Sequence, residues 1–191
     1  MDNKLRIVNF LGKMNKCEFT MHQASKLLNI PYATFYRTIN GMKDLVNIKI
    51  LGKSKIISLN ANHKSIKSYL IVGSEEERKE FLERNPIINQ IHDGLETEDV
   101  VLLFGSYAKG ISRKDSDIDI LVINENGEKD ISFSKYELIF NKTINPIFFT
   151  YNEFKLMLEG NEENVGKQAL KHHILLNNPE TFWGLVINER L

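Results

Sequence analysis

The chain has 191 residues, 42% of them hydrophobic, and a formal net charge of zero, which suits one medium domain or two small ones. No apolar run reaches the roughly 18 residues of a membrane span, and "MDNKLRIVNF" lacks the long apolar centre and cleavage site of a signal peptide. A cytoplasmic protein with no membrane partner is therefore expected. Cys17 is the single cysteine, which excludes an internal disulfide and a cysteine zinc centre.

The zero net charge conceals a division. Residues 1–64 hold 11 Lys and Arg against Asp2, Glu18 and Asp44, a net of +8, so residues 65–191 carry a net of −8. Such asymmetry predicts two modules, the basic one a candidate for polyanion binding. Within it three helices are expected. The first, about 3–14, aligns Leu5, Val8 and Leu11. The second opens at Thr20 as an N-cap and aligns Ala24, Leu27 and Leu28. The third follows Pro31 and aligns Phe35, Ile39 and Met42. Two β-branched runs, "LVNIKILG" and "SKIISLN", then read as a hairpin around Gly52-Lys53.

Three helices and a hairpin, with the short link "LNIPYAT" between the second and third helices, resemble a winged helix-turn-helix domain. The resemblance implies that the third helix enters a DNA major groove. It would present Tyr32, Thr34, Arg37 and Thr38, with Tyr36 a further candidate, while Lys49, Lys53 and Lys55 lie on or near the wing against phosphates. Winged helices also serve as dimerisation or protein-docking modules.

Residues 62–98 read as helical and charged. "NHKSIKSYLIVG" predicts a helix ending at Gly73, and "SEEERKEFLERN" a second one opening on a Ser cap and stopping before Pro86. The module boundary is accordingly expected near Gly73. "PIINQIHDGL" is a short amphipathic helix with Ile87, Ile88, Ile91 and Leu95 inward.

"DVVLLFG" and "DIDILVIN" are buried-type strands. Because strand side chains alternate, Asp117 and Asp119 project to one side about 7 Å apart, with Ile118 and Ile120 opposite. Two carboxylates on one face of an apolar strand are costly unless a cation lies between them. Mg²⁺ (or Mn²⁺) suits them, since it takes carboxylate, water and phosphate oxygens. Gly105 and Ser106 offer a phosphate cradle, and Lys109 with Arg113 or Lys114 adds positive charge for a triphosphate tail.

"GSYAKGISRKDSDIDILV" has Gly-Ser, ten intervening residues and Asp-Ile-Asp. The spacing resembles the signature of the DNA-polymerase-β-like nucleotidyltransferase superfamily, and more narrowly its minimal bacterial and archaeal members, over about residues 86–160. The resemblance implies that Asp117 and Asp119 are catalytic and hold the metal, that Gly105, Ser106, Lys109 and Arg113 bind the nucleotide, and that NTP, in the first place ATP, is the substrate. The family's third carboxylate usually sits on a later strand, here "INPIFFT", where the expected slot falls on Asn145. Glu137, on a strand read in "KYELIF", is a substitute. In the tail, read as one or two helices, His172 and His173 diverge by about 100° on a helix and so cannot share a metal. They are expected at the surface or an interface.

The resulting expectation is an α+β chain: a winged helix-turn-helix at 1–64, a helical connector at 65–85, and at 86–191 a nucleotidyltransferase fold, a mixed sheet flanked by helices. Its function would be NMP transfer to a hydroxyl of a protein or small molecule, or NTP sensing without catalysis. Its role would be that of a DNA-binding regulator or an antitoxin, and minimal nucleotidyltransferases often occupy toxin-antitoxin pairs. The partners implied are double-stranded DNA, a nucleotide, a cognate toxin and a second copy of the chain.

Overall fold

The structure is a computed structural model, and it describes residues 1–14 and 17–187. It divides into two compact units, Met1–Gly73 and Ser74–Leu191.

In the first unit, helix α1 (Asn3–Lys13) is capped by the Asp2 carboxylate, which accepts from Leu5 N. Strand β1 (Phe19–Thr20) leads into α2 (Met21–Leu27), whose cap is reciprocal: Gln23 N donates to the Thr20 hydroxyl and Thr20 N to the Gln23 amide oxygen. The chain turns through Asn29 in the left-handed region (φ 50°) and Pro31 into α3 (Tyr32–Asn40). Strands β2 (Val46–Leu51) and β3 (Ser54–Leu59) pair in an antiparallel hairpin with Leu51 opposite Ser54. Gly52 supplies the positive φ (59°) that a two-residue hairpin loop needs. The sheet order is β1-β3-β2. Ile7, Val8, Leu11, Ala24, Phe35, Ile39, Met42 and Ile57 are buried, whereas Leu5 and Leu28 are half-buried and Leu27, expected beside Ala24 on the inner face, is 63% exposed. The spacing read from the sequence therefore holds for the first and third helices better than for α2.

Helix α4 runs unbroken from Ile66 to Leu82, where two helices parted at Gly73 were expected. Gly73 is there for packing. A Cβ on it would lie 3.3 Å from the Asn9 Cβ, tighter than ordinary contact. Ser74 is not an N-cap either; it is buried and its hydroxyl accepts from the Trp183 indole N–H at 2.8 Å.

The second unit continues with α5 (Pro86–Asp93), β4 (Val100–Phe104), the four-residue α6 (Gly105–Ala108), β5 (Ile118–Asn124), α7 (Ser134–Phe140), β6 (Ile144–Thr150), α8 (Tyr151–Glu159), α9 (Val165–Lys171), β7 (Ile174–Asn177) and α10 (Pro179–Ile187). Its sheet has the order β6-β5-β4-β7, with β5 and β6 parallel and the other pairs antiparallel. The core beside it joins Ile88 and Ile91 of α5 to Val101, Leu103, Ile118, Ile120 and Val122.

Two further expectations are corrected. "KYELIF" is helix α7, in which Tyr136 and Phe140 stack one turn apart, with ring centroids 6.3 Å apart; an aliphatic run this short does not declare its period. In the tail, "ILLN" is strand β7, so His172 and His173 are not on a helix. His173 is buried, its ring 4.8 Å from that of Phe182 and 6.0 Å from that of Trp183. Among the described residues no helix is long and apolar enough to cross a membrane.

Candidate functional site

The sheet of the second unit gathers the carboxylates. Asp119 is the second residue of β5 and lies in register with Phe104 of β4 on one side and Asn145 of β6 on the other. Asp117 immediately precedes β5 and is exposed, Asp119 is half-buried, and Ile118 and Ile120 between and beyond them are fully buried. The alternation therefore turns the two acids away from the core while the isoleucines anchor the strand.

Gly105 follows Phe104 directly, with a φ of 68°. A Cβ on it would overlap Asp119 Oδ2 and come within 3.0 Å of Asp119 Cγ. Only glycine lets the backbone turn here and pass this close to the carboxylate. Ser106 is the next residue of α6, and its carbonyl accepts from Ile111 N at 3.1 Å, folding back the loop that leads to Asp117. Lys109 closes α6 and Arg113 lies in the turn that follows, both exposed. That turn is closed by Arg113 N donating to the Ser116 hydroxyl (2.8 Å) and Ser116 N donating to Arg113 O (3.0 Å).

Asn145 occupies the position expected for a third carboxylate. Its amide N–H donates to Asp117 Oδ2 at 3.4 Å, and it also hydrogen-bonds Asp119. Partial burial raises the Asp119 pKa above the usual carboxylate range; the Asn145 bond opposes the shift and the Asp117 charge adds to it. The amide thus does the reverse of a third acid: it supplies a donor to a repelling pair. Glu137 is no substitute. It stands on α7, and its Oε1 accepts from Ile144 N at 2.9 Å, securing the first residue of β6. Among the described residues, no group of three or more His, Cys, Asp and Glu side chains gathers to hold a metal ion. What remains is two carboxylates and, with the amide rotated, one amide oxygen. That hard-oxygen set fits a single Mg²⁺ whose other ligands are water and phosphate.

Residues 88–180 match the family model described as Polymerase beta, Nucleotidyltransferase. The matched stretch is just under half of the chain and contains Gly105, Ser106, Asp117, Asp119 and Asn145. It supports a nucleotidyltransferase domain, with which the α+β architecture and its mixed four-stranded sheet agree. Comparison with curated proteins and with solved structures finds no match.

In the first unit Tyr32, Thr34, Arg37 and Thr38 lie on α3, Lys49 on β2, Lys53 in the hairpin turn and Lys55 on β3. Tyr32, Arg37, Lys49 and Lys53 are exposed. Lys55 donates to the Tyr36 hydroxyl at 3.0 Å, tying the hairpin to α3 and holding the Tyr36 phenol below its usual pKa. Lys49 pairs with Glu18 at 2.8 Å, a contact exposed enough to exchange for another anion. Thr38 spends its hydroxyl proton on Thr34 O. The hairpin tip also exposes Ile50 and Leu51.

Proposed function

We propose that the second unit is a metal-dependent nucleotidyltransferase that moves NMP, in the first place AMP, from NTP to a hydroxyl of a protein or small molecule. The observation that carries this is Gly105, whose backbone lies so close to the Asp119 carboxylate that no side chain fits between them, within the stretch that matches the family. Asp117 and Asp119 would hold the cation, and the exposed Lys109 and Arg113 would meet the triphosphate tail, with Gly105 and Ser106 against its oxygens. The acceptor oxygen bonds to the α-phosphorus, its proton passes to solvent water, and the bond to the bridging oxygen breaks to release pyrophosphate. A bound Mg²⁺ supplies charge neutralisation on the transferring and leaving phosphates. Asn145 orients the carboxylate pair by donation and cannot accept the proton as a base.

The test uses purified protein, Mg²⁺ and labelled ATP. Transfer of label to a protein or small molecule, with pyrophosphate release lost in Asp117→Ala/Asp119→Ala, supports the enzyme. No release above that double variant overturns it. The place of Asn145 favours a second reading, in which the same residues bind NTP as a signal and catalyse nothing; saturable Mg²⁺–ATP binding without turnover distinguishes it.

We further propose that the first unit is a winged helix-turn-helix that binds double-stranded DNA through α3 and the β2–β3 hairpin, so that the chain acts as a regulator or as the antitoxin of a toxin pair. The two helices joined through Asn29-Ile30-Pro31 and the lysine-bearing hairpin support it. Co-purification with the product of a neighbouring ribonuclease gene separates the antitoxin from the free-standing regulator, and sedimentation of the pure chain reads whether it pairs with a second copy.

A further inference from the structure

Asp117 is exposed and lies outside the strand ladder, so something other than packing must set its direction. Lys142 and Thr143, in the turn between α7 and β6, grip both peptide units that flank it. The Lys142 ammonium donates to Ser116 O (3.4 Å), the carbonyl of the Ser116–Asp117 peptide, and more closely to Lys114 O (2.7 Å). Thr143 O accepts from Ile118 N (3.0 Å), the amide of the Asp117–Ile118 peptide. With both neighbouring peptide planes held, φ and ψ of Asp117 are confined, and its Cα–Cβ bond is aimed accordingly. The same ammonium stands 5.6 Å over the ring of Tyr107, the residue after Ser106. One cation therefore joins the Gly-Ser helix, the loop and the approach to Asn145.

We infer that Lys142 is a positioning residue for Asp117, acting through the backbone of the Lys114–Ser116 loop and touching neither nucleotide nor metal. This rests on the nucleotidyltransferase reading of Asp117. The chemistry suits a lysine: a long flexible stem ends in a compact charge with three donors, which two carbonyls and an aromatic face can satisfy together. A lysine held only by solvent would leave the loop free to swing Asp117 away from Asp119.

The test has two arms on the full-length chain. Limited trypsin digestion, read by mass spectrometry at Arg113 and Lys114, reports the loop directly. Lys142→Met is expected to speed cleavage there about tenfold, the size of one charge-assisted hydrogen bond. Binding of Mn²⁺ with a non-hydrolysable ATP analogue is expected to weaken by a similar factor, with the melting temperature unchanged and Lys142→Arg restoring both. Lys142→Gln replaces the Met variant if that one fails to fold. Equal cleavage of wild type and variant overturns the clamp. Faster cleavage with unchanged Mn²⁺ affinity overturns its service to Asp117. If the wild type binds no Mn²⁺–nucleotide while the loop still loosens in the variant, the parent reading fails and takes the positioning role with it.

Discussion

At Gly105 a hydrogen atom stands where any other residue has a carbon. Gly105→Ala forces both a left-handed φ and a clash with Asp119, and the backbone strain alone costs on the order of 1–3 kcal/mol. Chemical denaturation should show that loss, together with loss of nucleotide binding. Asp119 predicts a pH effect of definite sign. Its pKa is raised on folding, so between the unfolded and folded values the native state holds more proton, and stability falls as pH rises through that window. In EDTA, Asp119→Asn is therefore expected to melt higher than wild type at neutral pH, with the gap closing on acidification below the ordinary carboxylate pKa. Asn145→Asp works in the opposite direction. It removes the donor to Asp117 and adds a third negative charge beside two, so it should lower the melting temperature in EDTA and tighten Mn²⁺ binding in calorimetry. The Gly-Ser spacing and the two aspartates were legible in the sequence because strand alternation is local. The donor role of Asn145 was not, since which way an amide points depends on neighbours 26 and 28 residues away.

Helix α8 shows how local grammar places an element. Thr150 and Glu153 form a reciprocal cap: Glu153 N donates to the Thr150 hydroxyl, and Thr150 N donates to the Glu153 carboxylate at 2.8 Å. The backbone bond first, and the Thr150 hydroxyl second, hold the Glu153 carboxyl below its usual pKa. Thr150→Ala should cost about 1 kcal/mol, measurable by urea titration. Helix α10 depends on long-range contact instead. Trp183, the single tryptophan, is fully buried and gives its N–H to Ser74. Its emission should be blue-shifted and should follow unfolding of the second unit, and Trp183→Phe, which keeps an aromatic ring but loses the donor, should destabilise by about 1–3 kcal/mol. The misread elements share a cause. Four residues in "ILLN" and six mixed residues in "KYELIF" are too few to show a period, and Gly73 looks like a stop until its packing partner is known.

Across the whole molecule, the basic residues outnumber the acidic ones before residue 65 and are outnumbered after it. If the first unit binds duplex DNA, affinity must fall with salt as counterions are released. Removing Arg37 or Lys53 should then lower the slope of log K against log salt by about 1 for each phosphate left without its cation, as read by fluorescence anisotropy with the full chain. A slope unchanged in every such variant argues against this surface. The order of residues alone was enough for most of the helical stripes, though not for Leu27 of α2, and for the hairpin loop at Gly52, the buried strands and the Asp-Ile-Asp face, because each follows from the side-chain period of a single segment. It took the assembled fold to show that β7 completes the sheet, that α4 is one helix, that His173 belongs to the core, that Lys142 donates to the Lys114–Ser116 loop and that Asn145 donates to Asp117. Those outcomes depend on which distant segments meet, and no local pattern carries that information.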